Sequence, residues 1–345
     1  MHNSSVGENM SLKITPNISF GNSAVSNKET KKDVKKYNDP LMQWPARGLA
    51  YTNELGAALS EVSPKFGTLL WFPAMLYFGA DIYDKYKNEK NSYNPSPTRG
   101  TEQAVFQCLA SVILPTGSVI AGQKIASYLG KYGKNGLTLQ SEEEIIKFLQ
   151  GHMGRRNLAD YKDNIDGFKN SFKDALTNHR KKVMTEMKIT SPIRTIRNYI
   201  FNRKHPEAVA FAPNEKMMNF ANTKIDEMFS IYNQLIEDDS KAPKEFTNSM
   251  FKQYQKAKKA FLADDTYKDT AKSDAIDIII KKYQKSKIMN AKMLKTVGGF
   301  VALGLAIKPI DNFVEHVVMK KFVSPKLEKT FGKSSAQKSS ETTNA

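Results

Sequence analysis

The chain has 345 residues, 52 Lys or Arg against 35 Asp or Glu, a net charge of +17, and one cysteine, Cys108. A single thiol excludes an intramolecular disulfide framework and any cysteine-rich zinc site. The basic excess points to an anionic partner. Because it is carried mostly by Lys rather than by fork-shaped Arg, it favours diffuse attraction over reading of base edges.

Residues 1–39 are rich in Asn, Ser and Lys and read as a disordered basic arm. Met1 to Ser11 is polar, without the apolar core of a cleavable signal peptide. Residues 40–138 read as a hydrophobic helical hairpin unit. Gly48 to Val62 has Leu49, Leu55, Leu59 and Val62 at helical spacing, and Ser63-Pro64 ends it. Phe66 to Ala80 is strongly apolar, with Trp71, Phe72, Tyr77 and Phe78, and extends as far as Tyr83 if it crosses a bilayer. Asn94-Pro95-Ser96-Pro97 forms the turn of the hairpin. Gln103 to Gln123 then runs without an ionisable side chain except Cys108. As a helix it is roughly 30 Å long, the thickness of a bilayer's hydrocarbon core. Pro115 within it implies a kink.

Residues 139–290 read as a charged amphipathic helical bundle. Ser141 and Glu144 form a capping box that opens its first helix, and Gly151 ends it. Asp160 to Lys188, Asn214 to Ile236, and the segment from Phe246 to Phe261 each present one apolar stripe. Ser191-Pro192 opens a further, Arg-bearing helix closed by His205-Pro206. The longest helix starts at Ser273-Asp274, becomes wholly apolar from Thr296 to Ile307, and is expected to break at Pro309. Residues 291–331 read as C-terminal helices packing on the hydrophobic unit, and 332–345 as a disordered tail. The expected fold is therefore all-α, a hydrophobic helical unit and possible membrane hairpin carrying an inserted charged bundle.

Motifs for chemistry are weak. Gly332-Lys333-Ser334 ends like a phosphate-binding loop, but Leu327 stands where the first Gly is required. The histidines at 2, 152, 179, 205 and 316 show no metal-ligand spacing. No catalytic, cofactor or metal residue is assigned, and no enzyme activity is expected. Anionic-surface binding falls to Arg194, Arg197, Arg203 and Lys204 of the basic helix, with Arg155 and Arg156 after the first bundle helix. Helix packing falls to two rows of small residues four apart: Ser118, Gly122, Ala126 and Gly130, and Gly298, Ala302 and Ala306. The expected role is that of a bacterial membrane-associated structural or interaction protein. Its partners are an anionic membrane surface or lipid, and a protein at the 139–290 bundle, which is expected to be cytoplasmic. The alternative is a soluble Lys-rich helical protein that binds nucleic acid non-specifically.

Overall fold

The computed structural model describes residues 41, 43–87, 95–154, 156–188 and 214–331, among which no strand occurs. The fold is all-α. In chain order the helices are α1 (Ala46–Leu49), α2 (Thr52–Leu59), α3 (Pro64–Leu69), α4 (Trp71–Lys87), α5 (Pro97–Phe106), α6 (Leu114–Leu129) and α7 (Leu139–Met153). They continue with α8 (Ile165–Lys188), α9 (Asn214–Glu237), α10 (Asn248–Leu262), α11 (Ala271–Phe313) and α12 (Ser324–Phe331). Two π-helical stretches, Gln107–Ile113 and Val314–Val323, join α5 to α6 and α11 to α12 without ending the helix.

Local sequence explains most boundaries. Ser96 Oγ accepts from the Arg99 N–H at 3.1 Å, and Pro97 occupies the first helical position of α5, where no donor is needed. Thr247 Oγ1 caps α10 through the Met250 N–H at 3.2 Å. The expected capping residue of α7 is corrected: Thr138, not Ser141, is the N-cap, its Oγ1 accepting the Ser141 N–H at 3.1 Å. The helix ends on Gly154 rather than Gly151. The apolar run Phe66 to Ala80 is two helices, parted at Leu70, and Pro73 fits the first turn of α4 because the missing N–H is surplus there. Gly48 to Val62 is likewise split, at Ala50 and Tyr51.

Pro309 does not break α11, which continues to Phe313 and through wide turns to Val323. Pro309 is exposed, while Leu303 and Ile310 on either side of it are buried. Packing on both sides therefore holds the helix across its one missing hydrogen bond.

Two packed regions share α11, whose 43 residues make about 65 Å of helix. Its first half joins α7, α8, α9 and α10 around a core that includes Ile145, Leu149, Phe168, Phe172, Phe229, Tyr232, Ile276 and Ile280. Phe168 and Phe229 meet edge to face at 5.4 Å. The second half of α11 lies antiparallel to α6, Val119 packing with Leu303, and the π-helical stretches continue the pairing, Ala110 packing with Ile310 and Val314. Helices α2 and α4 cover this pair. The boundary expected near residue 290 thus falls inside a continuous helix.

Candidate functional site

The feature that sets this molecule apart is the surface of the α1–α6 and C-terminal α11 region. Phe66, Leu69, Phe72, Met75, Leu76, Ile113, Ile125, Leu129, Val297, Val301 and Leu305 all stand exposed on it. On the bundle helices and their connections, the described large hydrophobics left exposed are Leu262, Tyr267 and Ile278. Two continuous helices, Pro97–Tyr132 and Ala271–Phe331, are long and apolar enough to cross a membrane, and only 22% of the apolar window of each is buried. The core helix of a water-soluble fold would be mostly buried.

Tyrosines and lysines mark both edges of this belt. Tyr128 and Tyr132 are exposed at one end, with Lys131 over the Tyr128 ring at 4.5 Å. Tyr83 and Tyr86 are exposed at the other, beside Lys85 and Lys87. Tyr86 packs on Gly100, so the two edges lie 28 residues apart along α5–α6, roughly 42 Å of helix. A bilayer with its interfacial regions is about 40–45 Å thick.

The belt is held together by a close seam between α6 and α11. A Cβ built on Gly122 would overlap Ala302 Cβ and the Gly298 carbonyl; one on Gly298 would overlap Ala126 Cβ and come within 2.8 Å of the Gly122 carbonyl. Only glycine lets the two backbones approach this far. Gly122, Ala126, Gly298 and Ala302 are therefore brought into one contact. Ala306 packs lower down, against the cluster of Ala110 and Ile310. Ser118 is half-buried on α6. Gly130 is corrected: it sits beyond the end of α6, against the Leu137 carbonyl and the Leu139 N–H, and not on α11.

Polar groups inside the apolar region are few and mostly matched. Asp81 accepts from Gln103 Nε2 at 2.5 Å and Gln107 Nε2 at 2.8 Å, and is paired with Lys85. Ser111 Oγ donates to Gln107 Oε1 at 2.7 Å. Pro115 has no N–H to give to the Ser111 carbonyl four residues before it; Asn53 Nδ2 donates to that carbonyl instead. Where the belt meets the bundle, Lys295 is buried between Glu143 at 2.7 Å and Glu61 at 3.1 Å. Burial alone would raise the Glu143 carboxyl, but Lys295 and Lys147 outweigh it and hold Glu143 below the usual carboxylate range.

Of the residues expected to bind an anionic surface, Arg155, Arg194, Arg197, Arg203 and Lys204 lie outside the described residues. Arg156 is half-buried, with Nη1 3.3 Å from His152 Nδ1. His152 is buried edge-on between Phe168 and Phe172, which makes it a core side chain of α7. Among the described residues no group of three or more His, Cys, Asp or Glu is placed to hold a metal ion. Sequence reasoning missed Asn53, Glu54 and Glu61; the signal available was a polar side chain within or beside an apolar helix. No family model, curated protein or solved structure matches the chain.

Proposed function

We propose that this chain is a membrane-anchored interaction protein. The α5–α6 and C-terminal α11 helices cross the bilayer as an antiparallel pair, covered on one side by α2–α4. The bundle formed by α7–α10 and the first half of α11 is held at the membrane face as the part that meets a protein partner. The observation that carries this reading is the concentration of exposed large apolar side chains in one region. An exposed apolar surface of this extent is costly in water and favourable against lipid chains. The tyrosine and lysine edges support it, because such amphipathic side chains settle at the headgroup level, where Lys also attracts anionic lipid.

Fractionation of cells that make the full chain tests this. The proposal expects it in the membrane pellet after both high-salt and carbonate washes. Release by salt would reduce the anchor to surface electrostatics. A chain that stays in the supernatant and is retained on nucleic acid would replace the proposal with the nucleic-acid reading.

A further inference from the structure

The bundle carries a lysine face apart from the basic residues expected to bind an anionic surface. Helix α10 holds Lys252, Lys256, Lys258 and Lys259 and no acid. Lys258 is paired with Asp239. Lys252, Lys256 and Lys259 are exposed and recur at spacings of four and three, which puts them on one side of the helix. On α11 no Asp or Glu follows Asp277 until Asp311, and the exposed lysines ahead of the apolar half are Lys281, Lys282 and Lys285. Lys282 Nζ donates to Gln253 Oε1 at 3.2 Å, so the two rows meet across the α10–α11 boundary.

This face is not neutralised from within. The side chains of Lys252, Lys256, Lys259 and Lys285 make no hydrogen bond or ion pair among the described residues. By contrast Lys147, Lys169 and Lys224 are answered by Glu143, Asp226 and Glu227. The acids that border the face in sequence are Asp264, Asp265 and Asp269 in the α10–α11 connection, and Asp274 and Asp277 in the first turns of α11. Like charges one turn apart on a helix repel, so the row favours an anion that covers it.

Three anions compete as the cover. Lys285, the member of the face nearest the belt, lies eight residues before the exposed Met293, roughly 12 Å of helix. That exceeds the Debye length of about 8 Å at physiological salt, so lipid headgroups at the belt edge are screened from the face. An acidic protein surface also fits poorly. Protein interfaces are built around aromatic and Arg anchors and are depleted in Lys. Here α10 and the bundle half of α11 contain no Arg and expose no aromatic ring. A phosphodiester backbone needs what is present: several flexible point charges close together, without a fixed fork or an apolar pocket. We propose that the α10–α11 lysine face binds the phosphate backbone of a nucleic acid without reading its bases. The exclusion of lipid rests on the membrane reading; the face itself does not.

The test uses the full chain in neutral detergent micelles and a fluorescently labelled DNA duplex of mixed sequence, with affinity followed from about 50 to about 200 mM salt. Each lysine–phosphate contact contributes about 0.9 to the slope of log affinity against log salt. Lys252→Gln, Lys256→Gln and Lys285→Gln together should lower that slope by about 2.7, so the wild type loses roughly 40-fold more affinity over the range than this variant. Lys173→Gln, Lys181→Gln and Lys182→Gln, made together at exposed positions of α8, remove the same charge and should lower the slope by less than about 1. In the wild type, bound duplex should protect the face lysines from acetylation and leave the α8 lysines reactive, a reading that needs no variant to fold. Equal slope changes in the two triple variants, or no protection, would overturn the proposal. So would polyglutamate binding as tightly as the duplex through the same lysines, which would reassign the face to an acidic protein. Protection of those lysines by phosphatidylglycerol in the micelle, and not by the duplex, would reassign it to lipid. Cell fractionation reports on the belt and the slope difference on the face, so the two readings fail separately.

Discussion

Lys295 on α11 reaches Glu143 on α7 at 2.7 Å, and each side chain is only 4% exposed. With Glu61 on the second side of Lys295, this one cation ties the bundle, the long helix and the turn after α2 together. Lys147 and Lys292 complete the charge balance around Glu143. Removing the cation leaves a fully buried carboxylate facing a partly buried one, so Lys295→Met should cost about 3–5 kcal/mol in urea unfolding. Glu143→Gln should cost less, because Lys295 keeps Glu61. Glu143 has its carboxyl held below the ordinary range, so its stabilisation is present at neutral pH and lost as pH falls through its lowered value. As pH falls from neutrality into the acid range, the wild type should therefore lose more stability than Glu143→Gln.

The α6–α11 seam predicts opposite outcomes for glycines that look alike in sequence. Gly122→Leu or Gly298→Leu forces side-chain bulk into a neighbouring backbone and should cost at least about 1–3 kcal/mol. Gly304 lies on the same helix with nothing within 4 Å of an added Cβ. Gly304→Ala should be neutral or stabilise by up to about 1 kcal/mol, since Ala loses less backbone freedom in a helix. Thermal melts of the three variants distinguish a packed seam from an incidental run of small residues.

In the bundle half of α11, burial pushes the Asp277 carboxyl up to about 6, with Lys281 opposing and Asp274 adding to the rise. Its Oδ1 is buried without a partner. A carboxyl raised in the folded state binds its proton more tightly there than when unfolded. Stability from this group is therefore present in acid and lost as pH rises from about 4 towards 6. Asp277→Asn should raise the melting temperature at pH 8 and change it little at pH 4. An equal shift at both values would assign the effect to packing instead.

The all-α fold was legible in the sequence because the apolar stripes at Phe168, Phe172 and Leu176, and at Ile225, Phe229 and Tyr232, follow the helical period, and these side chains are buried together. The small rows at Gly122 and Ala126 and at Gly298 and Ala302 were legible for the same reason: residues four apart share a face. What could not be read depended on distant partners. Pro309 looked like a break because its local cost is visible in sequence, while the burial of Leu303 and Ile310 that holds the helix is not. In sequence Glu54 and Lys295 are single charges within helical segments, with no sign of what faces them. Only the fold shows that one is buried without a cation and the other between two carboxylates.

The membrane assignment is tested most directly by the water accessibility of single cysteines on α11, in a Cys108→Ser background reconstituted in vesicles. Leu305→Cys lies on the exposed apolar belt, and Ile278→Cys on the exposed face of the bundle half of the same helix. A membrane-impermeant maleimide should label Ile278→Cys, in molecules whose bundle faces outward, at the rate of a free thiol. Leu305→Cys should remain unlabelled in intact vesicles and react only after denaturation. Equal labelling of the two in intact vesicles would place the belt in water and contradict the account.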